Sequence, residues 1–214
     1  MDQNNASPKK MNVGLIGAGF MAKAHSIAYA GMPMFFWPAP IIPVKKMIVD
    51  MNEAIAREAK DKFAFESYST DWHDVVNNPE IDVVDICTPN NVHAEIAIAA
   101  AKAGKHIICE KPLALSLEEA DTIVNTAREK GLLAVSAPDT FLGAGAQTCR
   151  KLLDEGTIGR PVGFTANMVA PGHELWHPAP AFYYKKGAGP MLDMGPYYIT
   201  TLVSLLGPIQ RISC

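Results

Sequence analysis

The chain has 214 residues, of which 49% are hydrophobic and 19% charged, and its formal net charge at pH 7 is −3. This length suffices for one domain of ordinary size or slightly more, and the apolar share excludes a chain that is disordered throughout. The sequence has no clustered basic stripe and no apolar run of the ~18–20 residues that cross a bilayer, so we expect neither nucleic acid nor membrane as a partner.

The tail and the cysteines indicate the compartment. Residues 1–10 are polar and lack the apolar core of a secretory signal, so we expect a flexible tail. The cysteines stand at wide, irregular spacings, which disfavours a disulfide framework or a zinc site. They are Cys87, Cys109, Cys149 and Cys214. We therefore expect reduced thiols, no metal and a cytoplasmic protein.

Short apolar segments alternate with helical segments through the first two thirds of the chain. The strand candidates are 11–16, 44–50, 65–69, 83–88, 105–109 and 132–137. The helix candidates are 21–30, 52–62, 71–77, 93–103 and 116–130. The last of these helices opens with a capping box, Ser116 and Glu119. Such alternation, with strands rich in Val and Ile, predicts an α/β fold: a Rossmann-type, doubly wound parallel sheet over residues 11–137.

Segment 31–44 interrupts this alternation with four prolines. Because proline disrupts helix interiors and central strands, we expect an irregular loop here. The loop is unusually apolar, with Phe35, Phe36, Trp37, Ile41 and Ile42. These side chains would either pack on their own domain or form a flap over a ligand or a contact between subunits.

Beyond residue 137 the pattern changes. It predicts a helix at 144–155, a strand at 162–169, a loop at 171–189, a long apolar helix at 191–206 and the start of a strand at 209. This is an incomplete α+β second domain over residues 138–214, because two strands do not make an independently stable sheet. We expect an exposed apolar patch on the long helix, and a region 161–214 that is loosely packed alone or paired with another copy.

The turn after the first strand carries a dinucleotide fingerprint. Residues 17–22 read G-A-G-F-M-A and match G-x-G-x-x-G/A between a strand and a helix. The first glycine permits the tight turn and the second lets the backbone approach a pyrophosphate, which would lie at the helix N-terminus. We assign cofactor contacts to Gly17, Ala18, Gly19, Phe20 and Met21. The alternative is a glycine turn with only a packing role.

Asp50 ends the second strand, where a dinucleotide site needs an acid for the adenosine ribose. Its carboxylate would accept hydrogen bonds from a 2′-hydroxyl and repel a 2′-phosphate. NAD is therefore the favoured cofactor, and NADP stays open. Alternatively Asp50 caps the following helix, and one residue can serve both roles.

Two polar stretches follow later strands of the predicted sheet. They are Thr88-Pro89-Asn90, leading to His93, and Glu110-Lys111-Pro112. Ligands of open α/β sheets bind at the carboxyl ends of the strands, so both stretches should line the cofactor site. Because a buried ammonium needs a partner, Lys111 is a functional candidate, with a surface salt bridge to Glu110 as the alternative.

Several motifs together resemble the Gfo/Idh/MocA oxidoreductase family. They are the fingerprint with His25, T-P-N-x-x-H at 88–93, A-G-K-H-I-I-C-E-K-P at 103–112 and G-P-M-L-D-M-G-P-Y at 189–197. The resemblance covers essentially the whole chain from Met11. It implies an NAD(P)-dependent dehydrogenase that moves a hydride between nicotinamide and a hydroxyl or keto carbon of a sugar, polyol or related carbohydrate.

The resemblance also implies roles for single residues. Lys111 would lie beside the nicotinamide and the reacting hydroxyl, and Asp193 would act in proton transfer. Tyr197 stands where the family usually has histidine. It could donate a hydrogen bond to a substrate oxygen as the i, i+4 neighbour of Asp193 on one helix, or simply pack.

The remaining histidines have open roles. His173, Trp176 and His177 are candidates for substrate contact, because the C–H face of a sugar stacks on rings while its hydroxyls seek polar partners. Plain loop structure, or a metal pair with Glu174, is the alternative for them. We expect His25 and His93 to contact cofactor phosphates or to cap helices.

Two function classes remain open at this point. Lys111 with Asp193 favours the dehydrogenase, whereas Tyr197 and the short second domain favour a non-catalytic dinucleotide-binding sensor or regulatory protein, or an inactive fragment of such an enzyme. If the second domain is completed, the resemblance implies a homo-oligomer, because the missing sheet would form the usual dimer surface.

Overall fold

The computed structural model describes residues 8–176 and 180–213, apart from the side chain of Phe182. The chain divides into two compact units, the first ending at Ser136 and the second beginning at Ala137. Of the tail expected at residues 1–10, residues 1–7 lie outside the described part, and the first strand already begins at Lys9. None of the helices in the described part combines the length and the apolar composition needed to cross a membrane.

The first unit is built on one parallel sheet. Its strands are β1 (Lys9–Ile16), β2 (Ile41–Val49), β3 (Ser67–Ser69), β4 (Val83–Ile86), β5 (His106–Cys109) and β6 (Ala134–Ser136). They are ordered β3-β2-β1-β4-β5-β6, and every neighbouring pair is parallel. The direction of winding reverses between β1 and β4, which is where such sheets bind ligands. The predicted doubly wound Rossmann sheet is confirmed.

Helices connect these strands and cover the sheet. They are α1 (Phe20–Phe35), α2 (Glu53–Phe63), α3 (His73–Asn77), α4 (His93–Lys102) and α5 (Leu117–Glu129). The core is formed by branched strand residues such as Leu15, Ile86 and Ile107, together with small residues of α4 that allow close approach. Every predicted element of this unit is present, with its ends shifted by a few residues.

The expectation of an irregular loop over 31–44 is wrong for the first and last parts of this segment, which are helical and extended respectively. Helix α1 continues to Phe35 with Pro33 in its last turns, and β2 begins at Ile41 with Pro43 opposite Met11. Proline is tolerated there because β3 pairs only with the Met47–Val49 end of β2, so the beginning of β2 is open on one side.

The aromatic part of this segment does not pack on its own domain, which was one of the two interpretations. The side chains of Phe35, Phe36 and Trp37 are all exposed, Trp37 by 87%. Ile41 and Ile42 instead become half-buried members of β2. The exposed aromatic turn is therefore confined to residues 35–37.

The second unit contains α6 (Ala144–Asp154), α7 (Pro190–Asp193) and α8 (Gly195–Leu206), joined by turns. The predicted strand at 162–169 and the strand start at 209 are wrong for the described residues, which are irregular from 161 to 170 and from 207 to 213. Apolar segments of this kind become strands only when a neighbouring strand pairs with their N–H and C=O groups.

The predicted single helix over 191–206 is divided at Met194 into α7 and α8. Pro196 explains the break, since it has no N–H to donate to the carbonyl four residues earlier. The expected apolar exposure on this segment is present: Ile199, Val203 and Leu206 of α8 are each more than a third exposed.

Candidate active site

The glycine turn lies at the carboxyl end of β1. Gly17 has φ +94°, and a Cβ on it would lie 2.6 Å from the carbonyl oxygen of Cys87, so only glycine fits. Its N–H donates to the carbonyl of Val49 at 2.8 Å. A Cβ on Gly19, in contrast, would have no atom of the described residues within 4 Å. The first glycine closes the fold, and the second leaves open space at the start of α1.

Asp50 fastens this turn to the end of β2. Its Oδ2 accepts from the N–H of Ala18 at 3.2 Å, and its Oδ1 accepts from the N–H of Asn52 at 2.9 Å. The residue that caps α2 is Asn52, whose side chain accepts from the N–H groups of Ala54 and Ile55. The interpretation of Asp50 as the helix cap is therefore wrong, and its carboxylate keeps lone pairs for further donors.

Thr88 follows β4 on the other side of the turn. Its hydroxyl oxygen is buried without a hydrogen-bond partner in the described part of the chain. Its backbone nitrogen lies 3.1 Å from the position that a Cβ on Gly17 would occupy. An unsatisfied buried hydroxyl needs an explanation, and a ligand atom in the cradle would provide one. Pro89 and Asn90 lead from here into a short turn that ends at Val92.

His93 opens α4 and is completely buried. Its Nδ1 lies 2.8 Å from the carbonyl oxygen of Pro112, and its Nε2 lies 2.9 Å from that of Thr88. Both polar atoms of the ring therefore face backbone within the domain. The residue holds the loops after β4 and β5 together, which differs from the cofactor contact expected for it.

Glu110 and Lys111 follow β5 at the same edge of the sheet. Glu110 is buried, and its Oε2 accepts from the backbone N–H of Lys111 at 3.1 Å. Its Oε1 lies 3.0 Å from Nε2 of His25. Lys111 itself is half-buried. The glutamate thus fixes the main chain from which the candidate catalytic lysine projects.

His25, in α1, occupies the centre of a buried ionic cluster. Its Nδ1 lies 2.9 Å from Asp85 Oδ2, and the hydroxyl of Tyr29 donates to the same oxygen at 2.7 Å. Burial alone would lower the pKa of His25, but the hydrogen bonds with Asp85, Cys87 and Glu110 outweigh it and raise that pKa from 6.5 to about 12. The ring is therefore a cation at neutral pH.

Sequence reasoning missed this cluster, because His25 was expected at a cofactor phosphate or a helix cap. One signal was available. Asp85 lies inside the apolar strand β4, and a buried carboxylate requires a donor or a counter-charge. The pattern shows that a partner is needed, but not that α1 supplies it.

The polar residues of the second unit form two groups. His173 Nε2 lies 3.7 Å from Asp193 Oδ2, while the His173 ring stacks on Tyr183 at 3.6 Å and lies 4.8 Å from the Trp176 ring. Of the three predicted substrate residues, His173 is thus beside the predicted catalytic aspartate, and Trp176 lies beside His173. His177, the third, lies outside the described residues.

Tyr197 belongs to the other group. It lines an apolar groove of about 430 Å³ together with Phe164, Met194 and Tyr198. Asp193 ends α7 and Tyr197 lies in the first turn of α8, so the expectation that they share a face of one continuous helix is wrong.

The geometry of the first unit fits a dinucleotide. Four features that suit a dinucleotide lie at the carboxyl edge of the sheet. They are the open space at Gly19, the N-terminus of α1, the Asp50 carboxylate and the unpaired Thr88 hydroxyl. Gly17, Ala18, Gly19, Phe20 and Met21 would hold the pyrophosphate, and Asp50 would hold the ribose. Lys111 follows the neighbouring strand at that same edge.

Comparison with protein families gives two matches. Residues 11–137 match the Gfo/Idh/MocA oxidoreductase family with its NAD-binding Rossmann fold, and residues 146–214 match the C-terminal domain of the same family. The chain is 42% identical over 212 residues to levoglucosan dehydrogenase of Pseudarthrobacter phenanthrenivorans, covering 96% of this chain and 53% of the relative. It is 31% identical over 147 residues to myo-inositol 2-dehydrogenase of Thermotoga maritima, covering 69% and 42%.

Solved structures agree with these matches. A levoglucosan dehydrogenase in complex with NADH and levoglucosan superposes with a TM-score of 0.83 at 42% identity, covering 93% of this chain and 54% of the other. A complex with NADH and L-sorbose gives the same values. The chain spans about half the length of the curated relatives it matches.

Proposed function

The chain belongs to the Gfo/Idh/MocA family of oxidoreductases with an NAD-binding Rossmann domain, and from that premise we propose that this protein is an NAD-dependent dehydrogenase of carbohydrate hydroxyls. The observation that carries the proposal is the meeting of a dinucleotide cradle and Lys111 at one sheet edge. The turn at Gly17, the Asp50 carboxylate and the Thr88 hydroxyl form the cradle, and Lys111 follows the adjacent strand β5.

NAD, when bound, supplies the hydride acceptor. The residues of the chain would orient NAD and accept the proton of the substrate hydroxyl. Lys111 would donate to the oxygen of the reacting hydroxyl and stabilise negative charge that develops there. The backbone N–H of Lys111 donates to the Glu110 carboxylate, which fixes the position of the Lys111 Cα.

For the acceptor of the hydroxyl proton we propose Asp193, as the resemblance to the family implies. Asp193 Oδ2 and His173 Nε2 lie 3.7 Å apart, within ion-pairing range, and a closer approach would let a proton pass between them. Stacking on Tyr183 fixes the plane of the His173 ring. Tyr197 would offer a hydroxyl donor where the family usually has histidine.

The substrate class follows from the surroundings of this pair. Trp176 beside His173 combines an aromatic face for sugar C–H groups with a polar partner for hydroxyls. Relatives named for levoglucosan, inositol and xylose agree with a compact ring that bears several hydroxyls. We propose a sugar, anhydrosugar or polyol as substrate, with levoglucosan the first compound to assay.

The test follows NADH absorbance with levoglucosan, myo-inositol and D-xylose. Lys111→Ala should lower kcat about 10²–10⁴-fold, the range for a residue acting on the proton in the transition state. Lys102→Ala, an exposed lysine near the end of α4, is the matched control and should keep kcat unchanged. Tight binding of NAD with no turnover on any such compound would favour the non-catalytic dinucleotide-binding alternative.

Cofactor choice is tested separately by titration with NAD and NADP. Asp50→Asn removes the negative charge while keeping an oxygen for one of the two backbone donors. It should reduce the preference for NAD by about tenfold, which corresponds to about 1.4 kcal/mol. Equal affinities of the unmodified protein for NAD and NADP would contradict the ribose role of Asp50.

A further inference from the structure

We propose that His25 is a positioning residue for Lys111: its ring holds Glu110, and Glu110 holds the main chain from which Lys111 projects. The proposal deepens the function above and rests on it as far as turnover is concerned. It assigns a purpose to a buried ionic cluster that the hydride-transfer scheme does not otherwise use.

The chain of contacts is continuous and crosses three elements. Asp85, completely buried in β4, anchors one side of the imidazole at 2.9 Å. The other ring nitrogen contacts Glu110 Oε1 at 3.0 Å, and the second oxygen of that carboxylate accepts from the N–H of Lys111 at 3.1 Å. Asp85 thus fixes the ring, the ring fixes Glu110, and Glu110 fixes residue 111.

The charges explain why a histidine is needed here. Two buried carboxylates face one another across the ring, and only a doubly protonated imidazole can donate to both. The other groups around the ring stay neutral, because burial raises the pKa of the Cys87 thiol to about 12 and raises the pKa of Tyr29 well above its usual range. Without His25, Asp85 and Glu110 would repel each other in a poorly solvated space.

The residue after Lys111 is held independently. The carbonyl of Pro112 lies 2.8 Å from Nδ1 of the buried His93. Residues 110 and 112 are therefore each tied to a histidine of a different helix, α1 and α4. Lys111 lies between two fixed points, as expected for a side chain that must meet a reacting atom within a fraction of an ångström.

A metal ion is the main alternative occupant of this cluster. One donor atom each of His25, Asp85 and Cys87 lie within 4.8 Å of one another. However, both ring nitrogens of His25 already lie at hydrogen-bonding distance from a carboxylate oxygen, and one of these carboxylates, Glu110, is not among the three candidate ligands. The hydrogen-bonded ion cluster accounts for the geometry without an ion.

The experiment compares His25→Ala, His25→Gln and Tyr29→Phe in the full chain. Tyr29→Phe is the matched control, since it removes one hydrogen bond to Asp85 from the same cluster but leaves the Glu110 contact. His25→Ala should lower kcat about 10²-fold with KM for NAD unchanged. His25→Gln retains a donor that can reach Glu110 and should recover a large part of kcat. Tyr29→Phe should lower the thermal midpoint with kcat unchanged.

A second readout needs no turnover. The amide of Lys111 is protected by Glu110, so its hydrogen exchange should accelerate at least about tenfold in His25→Ala and stay unchanged in Tyr29→Phe. If the protein turned over no carbohydrate but showed this exchange pattern, the proposed function would fail and the positioning role would stand.

Three outcomes would overturn the positioning role. One is a normal kcat in His25→Ala. Another is an equal loss of kcat in His25→Ala and Tyr29→Phe at matched thermal midpoints, which would mean that His25 only stabilises the fold. The third is one equivalent of zinc in the purified protein, lost in His25→Ala, which would identify a metal site.

Discussion

Ile86 of β4 and Leu206 of α8 are both branched aliphatic residues in regular structure, yet Ile86 is fully buried whereas Leu206 is 47% exposed. The same contrast runs through the two units. Branched residues of β1, β4 and β5 form a closed core in the first. In the second, Tyr183 alone is buried among the side chains that the structure describes, and Val162, Val169 and Ile212 are open to solvent.

The contrast extends to charged groups. The first unit buries Asp85, Glu110 and Lys105, each with hydrogen-bond partners; the ammonium of Lys105 donates to the carbonyls of Asn78 and Ile81 at 2.7 and 2.8 Å. Arg150 in the second unit stays partly exposed, bonding to Asp154 on the surface of α6 and to the carbonyls of Ser204 and Leu205. A completed sheet supplies fixed, desolvated positions for charge, and site chemistry depends on such positions.

Hydrogen exchange gives the largest expected difference between the two units. Backbone amides of β1, β4 and β5 should exchange at least about 10³-fold more slowly than those of residues 161–170. Of these segments, only the strands are buried and hydrogen-bonded to neighbouring strands. Exchange followed by mass spectrometry measures both regions in one sample. Equal protection of the two would mean that the second unit is as well packed as the first.

Truncation of a core residue gives the next largest difference. Ile86→Ala should lower the free energy of unfolding of the first unit by about 2–5 kcal/mol, because it leaves a cavity in a closed core. Leu206→Ala is the matched change in the second unit and should cost less than about 1 kcal/mol, since the side chain is already half in water. Urea titration followed by far-UV circular dichroism measures both, and similar losses would contradict the contrast.

Local patterns sufficed for most of the first unit. Apolar runs located its strands, and at Ser116 the capping box formed as the spacing required, with Glu119 N–H bonded to the serine hydroxyl and the Glu119 carboxylate bonded back to Ser116 N–H. Gly17 also behaves as the fingerprint predicted, with a positive φ and a close approach to β4. In these cases the cause lies within a few residues of the effect.

The failures share a different origin, since each depends on a partner distant in sequence. Pro43 fits into β2 only because β3 is too short to pair with that part of the strand. The segment 162–169 is irregular because a strand needs a neighbour. In the His25 cluster, His25 contacts residues 60 and 85 positions away in the sequence. Hydrophobic periodicity describes only neighbouring residues and cannot predict such contacts.

Alkaline pH should weaken the first unit through this cluster. The pKa of His25 is raised from 6.5 to about 12, so its stabilisation is complete below pH 6.5 and declines as pH rises towards 12. Between pH 7 and 8.5 the free energy of unfolding should fall by up to about 2 kcal/mol more in the unmodified protein than in His25→Gln. This window lies below pH 9, where the buried Cys87 begins to add a loss of the same sign.

Urea titrations at the two pH values measure that difference. Tyr29 should not contribute, because the phenol of an unfolded chain ionises near pH 10, above the window. Parallel pH dependence in the two proteins would mean that His25 carries no extra proton in the fold.

The helix caps give the smallest effect. Helices α2 and α5 of the first unit begin with side-chain caps, Asn52 and Ser116, whereas α6 begins at Gly143, which has no side chain to cap with. Ser116→Ala should lower the free energy of unfolding by about 1 kcal/mol, because the N–H of Glu119 loses its acceptor at 3.2 Å. Gly143→Ala removes no side-chain cap, but its Cβ would lie 3.2 Å from the carbonyl oxygen of Thr140 and alanine is a weaker N-cap than glycine, so it should cost up to about 1 kcal/mol in the second unit. Neither change touches the glycine turn or Asp50, so NAD affinity by titration should stay the same in both. A loss of NAD affinity in Ser116→Ala would show that α5 supports the cofactor edge through β5, and the cap would then belong to the site as well as to the fold.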